Sequence, residues 1–386
     1  MMMPRIAFYA PLKAPDHPTP SGDRTMARLL IAAWRRQGAE IEIASRLRTR
    51  LSEADPLAQQ RLARQGAATA TRLIDSFRQR PAALRPQAWF TYHLYYKAPD
   101  WIGPTVAAAL GIPYLLAEAS HAPKRADGAW AFNHAGAEQA IRAAAAIFCL
   151  NPNDKECLAP LVAPDRLIDL PPFLDLAHFA PRVPDRASCR AELARQHGID
   201  PAQAWLLAVG MMRAGDKLAS YRQLAQALDL ARDRDWQLLV VGDGASRDAV
   251  EAAFAPLRQR VHFLGRHPIE AMPAIYGAAD LLVWPAVNEA FGMALLEAQS
   301  CAVPVLAGAV GGVRAIIRPG ETGWLVPPDN PAAFAAQLAD LLDRDRTMAM
   351  LAEAGRRARR NVETGHDIAA AGQVLGAAWQ RLEQAA

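Results

Sequence analysis

The sequence predicts an α/β chain of two domains, each a parallel β-sheet covered by helices. Three observations predict it. At 386 residues the chain exceeds what one hydrophobic core commonly spans. Short apolar runs alternate with amphipathic helical stretches in two separate series, the pattern of successive β-α-β units. Between the series lie Pro171, Pro172, Pro181 and Pro184, through which no helix can continue.

The first series opens with a strand at Ile6 to Tyr9, an apolar run stopped by Pro11. A helix from Thr25 to Gln37, closed by Gly38, and a strand at Ile41 to Ala44 complete the first unit. A long helix follows from about Glu53 to Arg80, then strands at Ala88 to Tyr92, Tyr114 to Ala117 and Ala146 to Leu150, with a shorter helix after Pro104. The second series places strands at Ala204 to Gly210, Gln237 to Val241, Val261 to Leu264, Leu281 to Trp284 and Val305 to Leu306, with helices separating each pair. A last helix spans about Asp367 to Gln384. The domains divide as residues 1–175 and 176–366.

Composition narrows the function classes. Hydrophobic residues make up 52% of the chain, largely alanine, and no run reaches the ~18 to 20 apolar residues of a membrane-spanning helix. Arg5-Ile-Ala-Phe-Tyr-Ala10 is too short for a leader and reads as a first strand, so a cytoplasmic enzyme is expected. The four cysteines, at 149, 157, 189 and 301, show no Cys-x-x-Cys and no histidine at metal spacing; they read as buried free thiols without disulfides. From Arg24 to Arg85 the chain holds 13 Arg against 5 acidic residues, a surplus of 8, so with +4 overall the remainder is net −4. Two readings of this stretch stay open: solvated helix faces, or a surface meeting anionic lipid or an acidic acceptor at the inner membrane face. Nucleic acid is not expected, because the basic residues are not interleaved with aromatics.

The segment Asn288-Glu-Ala-Phe-Gly-Met-Ala-Leu-Leu-Glu297 follows an apolar strand and Pro285. A strand, a loop carrying a carboxylate and then a helix start form a ready anion site. The segment resembles the Glu-x7-Glu hallmark of the retaining glycosyltransferases of family 4, set in Glu-Gly-Phe-Gly; here it reads Glu289-Ala290-Phe291-Gly292. Cys301-Ala-Val-Pro304, Gly311-Gly312 and Gly320-Glu-Thr-Gly323-Trp-Leu-Val-Pro-Pro328 also follow the family pattern, as do Asp175, Phe179 and Pro181 of the linker. Departures are Ala315, where a glutamate is usual, and Ala286, where a serine is common.

The resemblance implies a GT-B fold, two Rossmann-like domains facing across a cleft, with helix 367–386 packing back on the first domain. It also implies transfer of a sugar from a nucleotide-diphosphate sugar to a hydroxyl acceptor, with retention, no required cofactor and no metal. The acceptor is expected in polysaccharide, lipopolysaccharide or glycolipid assembly, with a lipid-linked hydroxyl as one form.

In the resemblance Glu289 positions the donor sugar, Glu297 holds the ribose, and the N–H groups of Phe291, Gly292 and Met293 meet the diphosphate. Lys217 and Arg213, expected in the loop after the strand ending at Gly210, supply positive charge to the leaving group; Met211 stands where the family has its arginine. Gly242 and Gly244, in Val241-Gly-Asp-Gly244, line the base pocket with Gly265 and Arg266. Gly22, in Pro20-Ser-Gly-Asp-Arg24, lets backbone approach a phosphate or sugar, and Asp23 is expected to cap the helix that follows. His121 matches the family's histidine near the reacting sugar but sits about two residues late, so His93 and Glu118 stand beside it as acceptor-side candidates. Asp233-Arg-Asp235 and Asp343-Arg-Asp345 read as solvated surface. Two rivals remain: a nucleotide-sugar epimerase on the same scaffold, and a non-catalytic sugar-nucleotide-binding relative.

Overall fold

The structure is a computed structural model and describes residues 4–19, 21–179, 185–343 and 347–385. Pro20, Pro181, Pro184 and Asp345 lie outside the described residues. The chain forms two compact units, Met1–Pro171 with Ile368–Ala386, and Pro172–Asp367.

In the first unit six strands, β1 (Arg5–Tyr9), β2 (Glu40–Ser45), β3 (Ala88–Leu94), β4 (Tyr114–Ala119), β5 (Ala146–Cys149) and β6 (Leu167–Asp169), form one sheet in the order β2-β1-β3-β4-β5-β6. All pairings are parallel. Ile6 to Tyr9 are fully buried, as a continuous apolar run in a two-sided parallel sheet requires. Helices α1 (Gly22–Arg36), α2 (Pro56–Gln79), α3 (Gly103–Leu110), α4 (Ala131–Ala143) and α5 (Pro152–Leu158) connect the strands.

Helix α1 starts three residues before the expected Thr25. Its cap is Ser21, whose side chain accepts from the Arg24 N–H at 3.2 Å, not Asp23, whose carboxylate is turned to His93. Met26, Leu30 and Trp34 form its buried stripe, and Trp34 meets Phe90 edge-on with 5.8 Å between ring centroids. Helix α2 is capped by Asp55, which accepts from Leu57 and Ala58, with Pro56 in the first turn.

The second unit begins with α6 (Arg186–His197), then alternates β7 (Ala204–Val209), α7 (Asp216–Leu230), β8 (Trp236–Val241), α8 (Arg247–Ala253), β9 (Val261–Gly265), α9 (Met272–Ala278), β10 (Leu281–Trp284), α10 (Met293–Ser300), β11 (Val305–Gly308), α11 (Val313–Ile316) and β12 (Gly323–Val326), closing with α12 (Pro331–Leu341) and α13 (Thr347–Gly365). Its strands are also parallel, in the order β12-β11-β10-β7-β8-β9. Asp280, almost wholly buried before β10, accepts from the Trp205 N–H at 2.7 Å and pairs with Arg186 and Arg190 of α6, so a buried charge fixes that helix to the sheet. Helix α14 (Ile368–Ala385) returns to the first unit and packs on α1.

The sheets share one topological feature. In each, chain order reverses beside the first strand of the series, between β1 and β3 and between β7 and β10. Open parallel sheets bind ligands at the carboxyl ends of strands flanking such a reversal.

Two expectations are corrected. Strands β6 and β12 were not expected; each is three or four residues long and is defined by its pairing with β5 or β11. The cysteines are free, but Cys157 is exposed and Cys189 half-buried, because the short α5 and the weakly amphipathic α6 turn them outward. Many arginines of the basic stretch are bound locally: Arg28 donates to the Pro15 carbonyl at 2.7 Å, Arg46 pairs with Asp16 at 2.6 Å, and Arg80 pairs with Glu42 at 2.9 Å. Among the described residues, no helix is long and apolar enough to cross a membrane.

Candidate functional site

The polar candidates collect at the two topological reversals. In the second unit the chain leaves β7 through Gly210 and Met212 and enters α7 at Asp216, with Gly215 at φ 82° as the hinge. Lys217, expected in the loop, therefore lies in the first turn of α7. A cation there works against the helix dipole unless an anion compensates it. The compensating group is Glu289: its Oε2 pairs with Lys217 Nζ and accepts from Trp284 Nε1 at 3.2 Å. Lys217 Nζ also lies 5.2 Å from the centroid of the Trp284 ring, a cation–π contact. Arg213 lies in the loop between β7 and α7 and is exposed.

The loop that carries Glu289 is held in an uncommon backbone form. Ala286 (φ 61°) and Asn288 (φ 49°) are both left-handed, a conformation that non-glycine residues keep only when the surroundings enforce it. The enforcing contacts come from α7. Val287 N–H donates to Ser220 Oγ at 3.0 Å, and Asn288 Nδ2 donates to Asp216 Oδ2 at 3.1 Å. From the other side Gly312 N–H donates to the Ala290 carbonyl at 3.1 Å. Phe291 is buried, Gly292 caps α10 in the left-handed form, and the first N–H groups of that helix are left without intrahelical acceptors.

Glu297 is placed differently from a freely offered ribose clamp. Tyr276 Oη–H donates to its Oε2 at 2.7 Å, and the side chain lies deep between α9 and α10 while part of the residue stays accessible. Burial lifts its pKa to about 7, although the Tyr276 hydrogen bond opposes the shift.

Gly242 and Gly244 form the turn after β8. Gly242 has φ 140°, and a Cβ there would sit 1.9 Å from the Gly210 carbonyl oxygen, so only glycine lets the β7 and β8 exits run against each other. Met212 N–H donates to the Asp243 carbonyl at 3.0 Å and Gly242 N–H to the Gly265 carbonyl at 2.9 Å. The ends of β7, β8 and β9 therefore form one hydrogen-bonded rim, with Arg266 exposed beside it.

In the first unit His93 and Glu118 occupy matched positions on neighbouring strands. Tyr92 pairs with Ala117 and Leu94 with Ala119, while the residues between, His93 (φ 63°) and Glu118 (φ 57°), are both left-handed. Two adjacent strands kink at one level, and both kinks carry titratable side chains. His93 Nδ1 lies 2.9 Å from Asp23 Oδ1 on α1. Burial lowers the His93 pKa, but the Asp23 hydrogen bond and charge, with the charges of Glu118 and Asp154, outweigh it and leave a net rise. Gly22, the first residue of α1, is exposed, and a Cβ there would meet open space, so no internal contact requires glycine.

Glu118 is 5% exposed and its Oε2 has no hydrogen-bond partner. Burial, joined by the charges of Asp154 and Asp23 and opposed by His93, raises its pKa to about 8. This has a stability consequence. Below the ordinary value of 4.5 the carboxyl is protonated in folded and unfolded chains alike and contributes no pH dependence. As pH rises from 4.5 to 8 only the unfolded chain releases the proton, so stability falls, by on the order of 4 kcal/mol once pH exceeds 8. Glu118→Gln should therefore be more stable than the wild type by a margin that grows between pH 5 and pH 8.5, read from denaturant midpoints; a pH-independent margin would contradict this.

His121, in the loop after β4, is tied elsewhere: its Nε2 is 3.3 Å from Glu138 Oε2 and its ring centroid is 4.9 Å from that of His134. Asp233 and Asp235 fall in the turn before β8, where Asp233 is exposed. Several contributors went unnoticed in the sequence: Trp284, Tyr221, which meets the Trp284 ring edge-on and donates to the Gly210 carbonyl at 2.8 Å, Asp154, and the pair His134 and Glu138. The last had a readable signal, a His-x3-Glu spacing that brings both side chains to one face of a helix.

Residues 203–344 match the family model described as glycosyl transferases group 1. Among relatives, the chain is 35% identical over 211 residues to a D-inositol 3-phosphate glycosyltransferase of Salinispora tropica, covering 51% of this chain and 43% of the relative. A D-inositol 3-phosphate glycosyltransferase of Xylanimonas cellulosilytica is 33% identical over 244 residues, 61% of this chain and 57% of the relative. The chain spans about half the length of the relatives it matches. Among solved structures, sucrose-phosphate synthase from Thermosynechococcus elongatus aligns with a TM-score of 0.72 at 21% identity, over 99% of this chain and 100% of the other. Anabaena HepE in complex with UDP aligns with a TM-score of 0.71 at 16% identity, over 98% and 100%. These likenesses show the fold: two Rossmann-like parallel sheets in one chain, the GT-B architecture.

Proposed function

We propose that this chain, whose residues 203–344 match the glycosyl transferases group 1 model, moves a sugar from a nucleotide-diphosphate sugar to a hydroxyl acceptor and keeps the anomeric configuration. One observation carries the reading: Lys217 and Glu289 meet at the β7/β10 reversal, where the starts of α7 and α10 add positive potential. A sugar diphosphate matches both members, since its phosphates suit Lys217 and its hydroxyls suit the carboxylate.

In this mechanism the diphosphate takes Lys217 from Glu289 and is held by Lys217, by Arg213 and by the N–H groups of Phe291, Gly292 and Met293. These groups stabilise the charge that develops as the glycosidic bond breaks, so the transfer step draws on side chains and helix starts and no metal. Glu289, freed of the lysine and still bonded by Trp284, accepts from donor-sugar hydroxyls. Glu297 accepts from the ribose, and Gly242, Gly244, Gly265 and Arg266 border the base. Glu118 and His93 of the first unit are assigned to the acceptor, Glu118 because a buried carboxyl with an unpartnered oxygen can bond a hydroxyl. The acceptor hydroxyl attacks the anomeric carbon from the face the diphosphate leaves, and its proton passes to the departing phosphate.

Structures similar in fold include HepE complexes with UDP and UDP-glucose, which makes UDP-sugars the first donors to try. Incubation of UDP-sugars with hydroxyl acceptors, followed by NMR, should show nucleotide release together with a product of the donor's anomeric configuration. An inverted product, or conversion of the donor to an epimer without acceptor, would overturn the reading.

A further inference from the structure

We propose that His121, His134 and Glu138 of the first unit form a binding site for a zinc ion. Their ligand atoms lie within 4.8 Å of one another, and among the described residues this is the one group of three such side chains so placed. The geometry comes from simple parts. His134 and Glu138 stand one helical turn apart on α4, and the loop after β4 lays His121 against both.

The histidine ring at the bottom of the group calls for a ligand. His134 is 4% exposed, and its Nε2 is buried with no hydrogen-bond partner. Ala122 backbone lies beside the ring, and Nε2 is the buried ring nitrogen that no protein group engages. A neutral imidazole binds a metal through a ring nitrogen whose lone pair no protein hydrogen bond occupies, as at this Nε2. Glu138 is held in a comparable way, since Arg142 pairs with Oε1 at 2.8 Å while Oε2 faces His121.

Two imidazoles and one carboxylate suit zinc, which binds nitrogen and oxygen donors at about 2.0 to 2.2 Å and accepts three protein ligands with water as the fourth. Ligands at that distance stand roughly 3.3 Å apart in a tetrahedron, so the group must draw in. The His121 and Glu138 side chains, 10% and 30% exposed, are the two with freedom to turn, and Glu138 opens the site to solvent. The ion would pin the loop after β4 to α4. None of its three ligands has a part in the proposed transfer step, so the proposal stands independently of the donor chemistry.

The test is calorimetric titration of tag-free, metal-stripped protein with zinc, with magnesium as the contrasting hard cation. One zinc per chain is expected, with no magnesium binding, and with the visible bands of tetrahedral cobalt when cobalt replaces zinc. His134→Ala should abolish binding; because that residue is buried, Glu138→Gln and His121→Asn, at more accessible positions, serve as the deciding variants. Each should weaken zinc at least tenfold with an unchanged circular dichroism spectrum. Absence of stoichiometric zinc in the wild type, or undiminished binding in both accessible variants, would overturn the site.

Discussion

Lys217→Ala is expected to lower turnover by roughly 100- to 1,000-fold, the range seen when one preorganised electrostatic group is removed from a transition state. The prediction rests on geometry particular to this chain. Lys217 is one of five lysines in 386 residues, and it stands in the first turn of α7, where the helix itself favours an anion. Loss of the lysine leaves Glu289 held by the Trp284 Nε1 hydrogen bond at 3.2 Å, and some loss of stability will accompany the loss of rate. The two effects separate readily. Lys217→Arg keeps a cation and should recover part of the rate, and thermal unfolding of the alanine variant should remain a single transition. Glu289→Gln preserves the Trp284 hydrogen bond but removes the negative charge, and should also abolish most transfer. Turnover close to wild type in either Lys217→Ala or Glu289→Gln would refute the assignment.

The second large effect is expected from Gly312→Ala, a change of one methyl group in a residue that makes no contact with substrate in the mechanism. A Cβ at 312 would sit 2.1 Å from the Ala290 carbonyl oxygen, the same oxygen that accepts the Gly312 N–H at 3.1 Å. Backbone cannot be displaced cheaply, so Ala290 and the loop carrying Glu289 must move. Overpacking of this kind costs typically ~1 to 3 kcal/mol, which lowers the melting temperature by several degrees in a unit of this size. The kinetic effect should be larger than the thermal one, because a misplacement of about 1 Å can cost roughly 100-fold. Gly22→Ala is the contrasting case: its Cβ meets open space, so stability should be unchanged. A Gly312→Ala protein with wild-type turnover and melting temperature would show that the loop does not depend on this contact.

What the sequence revealed, and what it did not, follows from the range of the interactions involved. Leu281 to Trp284 is legible as a strand because its residues are all buried, and buried parallel strands are continuous apolar runs. Strand β12 is not, since Gly323-Trp-Leu-Val326 is half-exposed and its pairing with β11 defines it. Glu289 is legible from its setting, a strand end followed by a helix start. The helical position of Lys217 is not, because it depends on Gly215 turning the chain at φ 82° into α7. Asp23 looks like a helix cap in isolation; it becomes a partner of His93 through the adjacency of β1 and β3, which joins residues seventy positions apart. The kinks at His93 and Glu118 have no local signature either: the expected strands stop one residue short of each, whereas the sheet carries both strands on to Leu94 and Ala119 through the left-handed residues.

The central claim is that a nucleotide diphosphate is held at the Lys217–Glu289 pair, and calorimetric titration tests it most directly. Wild type and Lys217→Ala would each be titrated with UDP, with other nucleoside diphosphates as alternatives. The account predicts one nucleoside diphosphate bound per chain by the wild type and at least tenfold weaker binding in the variant, a loss of about 1.4 kcal/mol or more. Absence of binding by every nucleoside diphosphate, or equal affinity in the two proteins, would contradict it.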